Sequence, residues 1–223
     1  MKRQILTTKD GSKTIHFPEW NESYHSQHGA ITEALHVYIK SGLDYRIKLE
    51  PLKSLSVLEM GFGTGLNAYL TYKYARENGL SINYSSIEKY PMPDEEVSLL
   101  NYAEESDTSV FEQLHTVPWD EFISIAEHFQ LKKLQMDIDS FKTDEKFDVI
   151  FYDAFGPRVQ PHLWNMSILE TMYSVLNPNG VWVTYSCKGS VRRALTDLGF
   201  YVEKIPGPPG KREMLRAIKR VKS

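Results

Sequence analysis

The sequence predicts an α/β fold: a mostly parallel seven-stranded sheet with an antiparallel last strand, preceded by a small N-terminal β-hairpin/helix extension. Three observations predict it. From Leu55 onward short apolar runs alternate with helical patterns, as strand–helix–strand crossovers require. Runs such as Val149-Ile150-Phe151 are continuous rather than alternating, the pattern of strands buried on both faces. The last two runs are separated only by Pro206 to Gly210, too short for a crossover, so they pair as antiparallel neighbours.

The elements follow in chain order. Gln4 to Pro18 alternates around Lys9-Asp10-Gly11-Ser12, a hairpin signal because Gly accepts positive φ. Ser26 to Lys40 sets Ile31, Leu35 and Ile39 on one helical face with Ala34 and Tyr38 beside them, and Gly42 as C-cap. Strands are expected over Ser56–Met60, Ile82–Ile87, Leu131–Met136, Phe147–Asp153, Gly180–Ser186, Phe200–Lys204 and Glu213–Ile218. Helices are expected around Leu66–Asn78, Pro93–Tyr102, Trp119–Phe129, Leu163–Leu176 and Ser190–Leu198. The organisation expected is an extension over 1–50 and one main domain over 51–223.

Composition excludes several classes. With 41% hydrophobic and 25% charged residues the chain is not disordered. Its N-terminus turns polar too soon for a signal peptide, and no apolar run is long enough to span a bilayer, so a cytoplasmic protein without membrane contact is expected. A single cysteine, Cys187, excludes an internal disulfide framework, and the seven histidines lack metal-ligand spacing, so no metal is expected. Charge is segregated: Lys188 to Lys222 carries ten Lys/Arg against Asp197, Glu203 and Glu213, a surplus of +7 in a chain of net charge −3. Pro91 to Glu121 carries nine acids and no Lys or Arg. Two solvated faces of opposite sign are one reading; a basic surface for a polyanion is the other.

Val57-Leu58-Glu59-Met60 runs into Gly61-Phe62-Gly63-Thr64-Gly65 and then Leu66-Asn67, a buried strand entering a glycine turn and a helix. A dinucleotide fingerprint would put its third glycine at position 66, where this chain has Leu66. The spacing Glu-x-Gly-x-Gly-x-Gly, with Glu59, Gly61, Gly63 and Gly65, instead resembles the first motif of Rossmann-like class I methyltransferases, whose turn lies under the methionine part of S-adenosylmethionine. The second strand ends at Glu88-Lys89, about 20 residues on, where a ribose diol is held. The third ends at Met136-Asp137-Ile138, an acid and apolar pair suited to an adenine. Each feature alone has a structural alternative, a tight connection or a helix cap, but three carboxyl-terminal strand ends coincide where α/β sheets bind ligands.

The fourth strand continues into Asp153-Ala154-Phe155-Gly156-Pro157, followed by Pro161 and Trp164. With Tyr24-His25-Ser26-Gln27-His28-Gly29-Ala30, Glu33 and Pro206-Gly207-Pro208-Pro209-Gly210-Lys211-Arg212-Glu213-Met214, these segments resemble the MnmC-type methyltransferases over nearly the whole chain. Those enzymes complete 5-methylaminomethyl-2-thiouridine at the wobble position of bacterial tRNA. The resemblance implies a stand-alone S-adenosylmethionine-dependent N-methyltransferase acting on 5-aminomethyl-(2-thio)uridine in the anticodon loop, without the flavin oxidase domain that many members carry, and so without flavin. It further implies that Tyr24 and Glu33 line the cofactor pocket, together with Asn67 of the turn. Asp153 is the expected catalytic residue, orienting the substrate amine beside the methyl group. Phe155, Pro157, Trp164 and Tyr185 are expected around the base, with core packing the alternative for the aromatics. Lys188, Lys211 and Arg212 are expected to meet phosphates, with solvated charges the alternative. An N-methyltransferase of a small amine or protein would share the cofactor site and lack the tRNA surface.

Overall fold

The computed structural model describes residues 2–220; Lys222, counted above in the basic segment, lies outside them. Strands β1 (Gln4–Thr7), β2 (Lys13–Phe17) and β3 (Glu22–Ser23) form a small antiparallel sheet. The helix that follows starts as α1 (Ala30–Ala34), widens into a π-helical stretch over Leu35–Asp44 and ends as α2 (Tyr45–Leu49). The main sheet contains β4 (Ser54–Met60), β5 (Ser81–Glu88), β6 (Phe122–Ala126), β7 (Phe129–Gln135), β8 (Phe147–Tyr152), β9 (Leu176–Thr184), β10 (Tyr201–Pro206) and β11 (Glu213–Ile218), in the order β10-β11-β9-β8-β4-β5-β7-β6. Its connections include α3 (Leu66–Asn78), α4 (Asp94–Val97), α5 (Thr108–Thr116), α6 (Met166–Val175) and α7 (Gly189–Asp197).

Strand β4 pairs in parallel with β5 on one side and β8 on the other, so strand order reverses around it. The carboxyl ends of β4, β5 and β8 therefore open onto one crevice, the usual ligand position in such sheets. β11 is antiparallel to both β9 and β10, as the short Pro206–Gly210 connection requires. Both faces of the sheet are covered: Val57, Val149, Phe151 and Val183 pack towards the π-helical stretch and α3, and Leu58, Ile150 and Trp182 towards α6 and α7.

Among the described residues the sheet has eight strands rather than seven. The helix expected over Trp119–Phe129 is absent; Phe122–Ala126 is β6, antiparallel to β7. Its side chains alternate, Phe122 and Ser124 outward, Ile123 and Ile125 inward, which is the period of an edge strand and not of a helix. The crossover helix is α5, further upstream. The helix expected over Pro93–Tyr102 contracts to α4. Gly42 is not a C-cap, because the helix continues to Leu49. Gly42 instead lets the helix approach the sheet, where a Cβ would stand 2.8 Å from Val183 Cγ1. Among the described residues no helix is long and apolar enough to cross a membrane.

Candidate functional site

Beyond β4 the chain turns sharply through Gly61 (φ +96°) and Gly63 (φ +50°), conformations that residues with a Cβ resist. Space is short as well. A Cβ on Gly61 would lie 3.1 Å from the Asp153 carbonyl oxygen, and one on Gly63 would lie 2.9 Å from the Tyr24 ring. Over this turn lies a cavity of about 570 Å³, lined by Gly61 and Gly63 beyond β4, Asn67 from α3, Glu88 from the end of β5 with Lys89 after it, Asp137 beyond β7 and Asp153 beyond β8. Tyr24, Phe155 and Tyr185 line it too.

The carboxylates are held differently. Glu88 accepts the Gly63 N–H at 3.0 Å and the Tyr90 N–H at 2.7 Å, which leaves one lone pair on each oxygen for a pair of hydroxyls. Burial raises its pKa. Asp137 is ion-paired with Lys89, whose hydrogen bond lowers the Asp137 pKa, and it stands beside Met136 and the buried Ile138. Asp153 accepts the Tyr38 hydroxyl at 2.5 Å on Oδ1 and the Asn67 Nδ2 at 2.8 Å on Oδ2. Burial raises its pKa to about 7, against the two hydrogen bonds, which lower it.

One wall comes from the N-terminal sheet. Phe17, Trp20 and Tyr24 surround Phe155 with ring centroids 5.3–5.6 Å away. Arg158 bridges to the Trp20 carbonyl at 3.1 Å and to Glu22 at 2.9 Å, tying the loop after β8 to this wall. A smaller cavity of about 310 Å³ adjoins at Tyr24, His25 and Tyr185 and contains Glu33 and Lys211. Glu33 accepts the Ser26 N–H at 2.6 Å and the Lys211 Nζ at 2.7 Å, and Lys211 lies 3.8 Å over the Tyr185 ring.

Several expected site residues stand elsewhere. Glu59 is sealed beneath the turn with no exposure, taking a 2.7 Å hydrogen bond from Ser86, and burial pushes its pKa to about 8. Gly65 faces His115, not the main cavity. His115 is backed in turn by the buried Lys133, which donates to its carbonyl. Trp164 is not available for stacking: it is buried against Tyr152 and donates from Nε1 to the Phe155 carbonyl at 2.9 Å, fixing that loop from behind. Pro157 lines neither cavity. Glu33 and Lys211 pair with one another in the smaller cavity, so the half-buried Lys211 is engaged by a carboxylate of its own chain. Lys188 and Arg212 are exposed, as are Arg192 and Arg193, with no ion pair among the described residues.

Tyr38, Phe17, Trp20 and Arg3 are site residues that the sequence did not single out. Tyr38 was legible only as a helical position, and the aromatic run Phe17-Pro18-Glu19-Trp20 could not reveal which face of a distant strand it would cover.

The donor set fits S-adenosylmethionine. The glycine cradle would take its methionine part, Glu88 its ribose and the Asp137–Ile138 pair its adenine. Glu88→Ala is expected to weaken S-adenosylhomocysteine binding by about 1–3 kcal/mol, the scale for hydrogen bonds to a charged group. An unchanged dissociation constant in calorimetry would remove Glu88 from the ribose position.

The chain is similar in sequence and fold to known proteins. Residues 104–220 match the family described as S-adenosyl-L-methionine-dependent methyltransferase. The tRNA 5-methylaminomethyl-2-thiouridine biosynthesis bifunctional protein MnmC of Leptospira interrogans is 30% identical over 223 aligned residues, covering 95% of this chain and 34% of the relative. The chain thus spans about a third of the length of the curated relatives it matches. MnmC2 from Aquifex aeolicus, a solved structure, superposes with a TM-score of 0.82 and 30% identity, over 99% of this chain and 72% of that one. CalS10, an amino pentose methyltransferase from Micromonospora echinaspora, superposes with a TM-score of 0.50 and 11% identity over 79% of this chain and 87% of its own, a likeness of fold alone. Matched by the family over more than half of its residues and by the MnmC2 fold along nearly all of them, the chain belongs to the MnmC-type S-adenosyl-L-methionine-dependent methyltransferases.

Proposed function

We propose that this chain methylates the primary amine of 5-aminomethyl-(2-thio)uridine at the tRNA wobble position, in the cytoplasm, with Asp153 as the catalytic residue. The observation that carries the reading is Asp153 itself, a carboxylate facing the cavity beside the glycine turn and gripped on both oxygens by Tyr38 and Asn67. The names of the MnmC relatives supply the substrate class.

S-adenosylmethionine, when bound, supplies an electrophilic methyl group on a sulfonium. The chain's own work is to present a nitrogen lone pair. An alkylammonium has none, so the amine must be bound free. An ionised Asp153 accepts an N–H from it and leaves the lone pair unobstructed; it also stabilises the positive charge that develops on nitrogen and takes up the departing proton. A protonated Asp153 would donate into that lone pair and block it. The aromatic wall of Phe17, Trp20, Tyr24 and Phe155 gives an extruded base flat surfaces and excludes water from the reacting atoms.

The phosphate-facing surface is reassigned to Lys188, Arg192, Arg193 and Arg212, with Lys211 left to its pairing with Glu33. Arg192, Arg193 and Arg212 changed together to Glu are expected to raise KM for tRNA steeply, an effect that shrinks as salt rises, while S-adenosylhomocysteine affinity stays at the wild-type value. Equal KM and equal salt slope would make this face merely solvated.

The substrate is tested by nucleoside mass spectrometry of tRNA from cells with and without the protein. The expected result is loss of the methylaminomethyl nucleoside with accumulation of its aminomethyl precursor. Unchanged tRNA nucleosides, with methyl transfer to a small amine or protein instead, would overturn the reading.

A further inference from the structure

We infer that Tyr38, in the π-helical stretch, is the positioning residue that orients Asp153 and favours its ionised form. Its hydroxyl meets Oδ1 at 2.5 Å while Asn67 Nδ2 holds Oδ2 at 2.8 Å. With one donor on each oxygen the carboxylate plane is fixed, and each oxygen keeps one further site for an incoming N–H. Tyr38 is buried, and its ring packs against Phe151 with centroids 5.3 Å apart, so the hydroxyl has little freedom to point elsewhere.

The local helix geometry is part of the device. A π-helix is rare and concentrates at functional sites because its looser packing must be offset by contacts elsewhere. Here Gly42 seats the widened stretch directly on Val183 and Phe151, and the Ser41 hydroxyl caps the His36 carbonyl at 2.7 Å. The widened stretch thus fixes the place from which Tyr38 reaches Asp153.

The charged and titratable groups facing Asp153 come from every element around it. Glu33 of α1 disfavours the ionised form, Lys211 between β10 and β11 favours it, and Glu59 of β4, Tyr84 of β5 and Tyr185 beyond β9 add their own fields. Burial acts against ionisation throughout. Among the described residues Tyr38 and Asn67 are the two side chains that donate to the carboxylate, so loss of the Tyr38 hydroxyl removes one of these two partners. The pKa of Asp153 then rises, and the ionised fraction at neutral pH falls.

Tyr38→Phe keeps the ring and deletes the donor. In protein labelled with ¹³C at aspartate carboxyls, with the Asp153 resonance assigned by its loss in Asp153→Asn, the apparent pKa of Asp153 is expected to move up by about one pH unit. That measurement needs neither cofactor nor substrate. In single-turnover assays the acid limb of kcat/KM should move up by the same amount, with kcat at pH 7 down roughly fivefold, substantial recovery at higher pH and unchanged S-adenosylhomocysteine affinity. The kinetic arm rests on the proposed amine methylation: a wild-type enzyme that does not methylate the aminomethyl tRNA fails that reading, whereas an unmoved Asp153 titration in a folded Tyr38→Phe fails this one. Should Tyr38→Phe unfold, Asn67→Ala, which removes the other donor, is measured in its place. A carboxylate whose titration ignores that loss as well is not held by these partners, and the inference is overturned.

Discussion

Asp153→Ala is expected to lower kcat by roughly 10²–10⁴-fold, the range for losing a positioned proton acceptor and a transition-state hydrogen bond. The cofactor should still bind. The substitution has a second consequence, because it leaves the Tyr38 hydroxyl and the Asn67 amide without their acceptor in a buried place. Each orphaned donor costs about 1–3 kcal/mol, so a lowered melting temperature is expected alongside the kinetic loss. Asp153→Asn separates the two effects, since it keeps an oxygen for Tyr38 while removing the charge. Turnover near the wild-type rate in either variant would make Asp153 a structural anchor and sink its catalytic assignment.

Gly63→Val should raise the dissociation constant for S-adenosylhomocysteine by more than about 100-fold. Two physical causes act together. The backbone at φ +50° costs a residue with a Cβ about 1–2 kcal/mol, and that Cβ would press on the Tyr24 ring at 2.9 Å before the valine methyls are even placed. Displacing Tyr24 opens the aromatic wall, so the cofactor space is filled from one side and breached from the other. Stability should fall by only a few degrees, because the turn lies beyond the carboxyl end of β4, beside the cavity and outside the sheet's hydrogen-bonded ladder. A folded Gly63→Val protein with wild-type affinity would remove the turn from the cofactor site.

The sequence was most informative where geometry is dictated locally. A glycine turn between a buried strand and a helix leaves few alternatives, and Glu88, Asp137 and Asp153 follow from strand ends that share a crevice. It was least informative where distant partners decide. Phe122-Ile123-Ser124-Ile125 contains too few apolar positions to separate period two from period 3.6, and only pairing with β7 selects the strand. Trp164 follows the Asp-Ala-Phe-Gly-Pro segment in sequence, yet the loop turns its indole inward to hold the Phe155 carbonyl. Lys211 sits in a basic run but finds a buried carboxylate from a helix 178 positions earlier. The π-helical stretch leaves no composition signal at all, because its cost is met by packing on the sheet.

The wall formed by Phe17, Trp20 and Tyr24 is synthesised long before the residues it covers. Its bridges from Arg158 to Trp20 and Glu22 span 138 and 136 positions. Contacts of such separation close late, since loop entropy is lost before they reward it. During folding the three aromatic rings therefore wait without their partner Phe155 until β8 and its following loop have joined the sheet. The aromatic wall is accordingly completed only after the local hairpins and helices have formed, and the emission of Trp20, which packs edge-on to Phe155, is placed to report that docking in a refolding experiment.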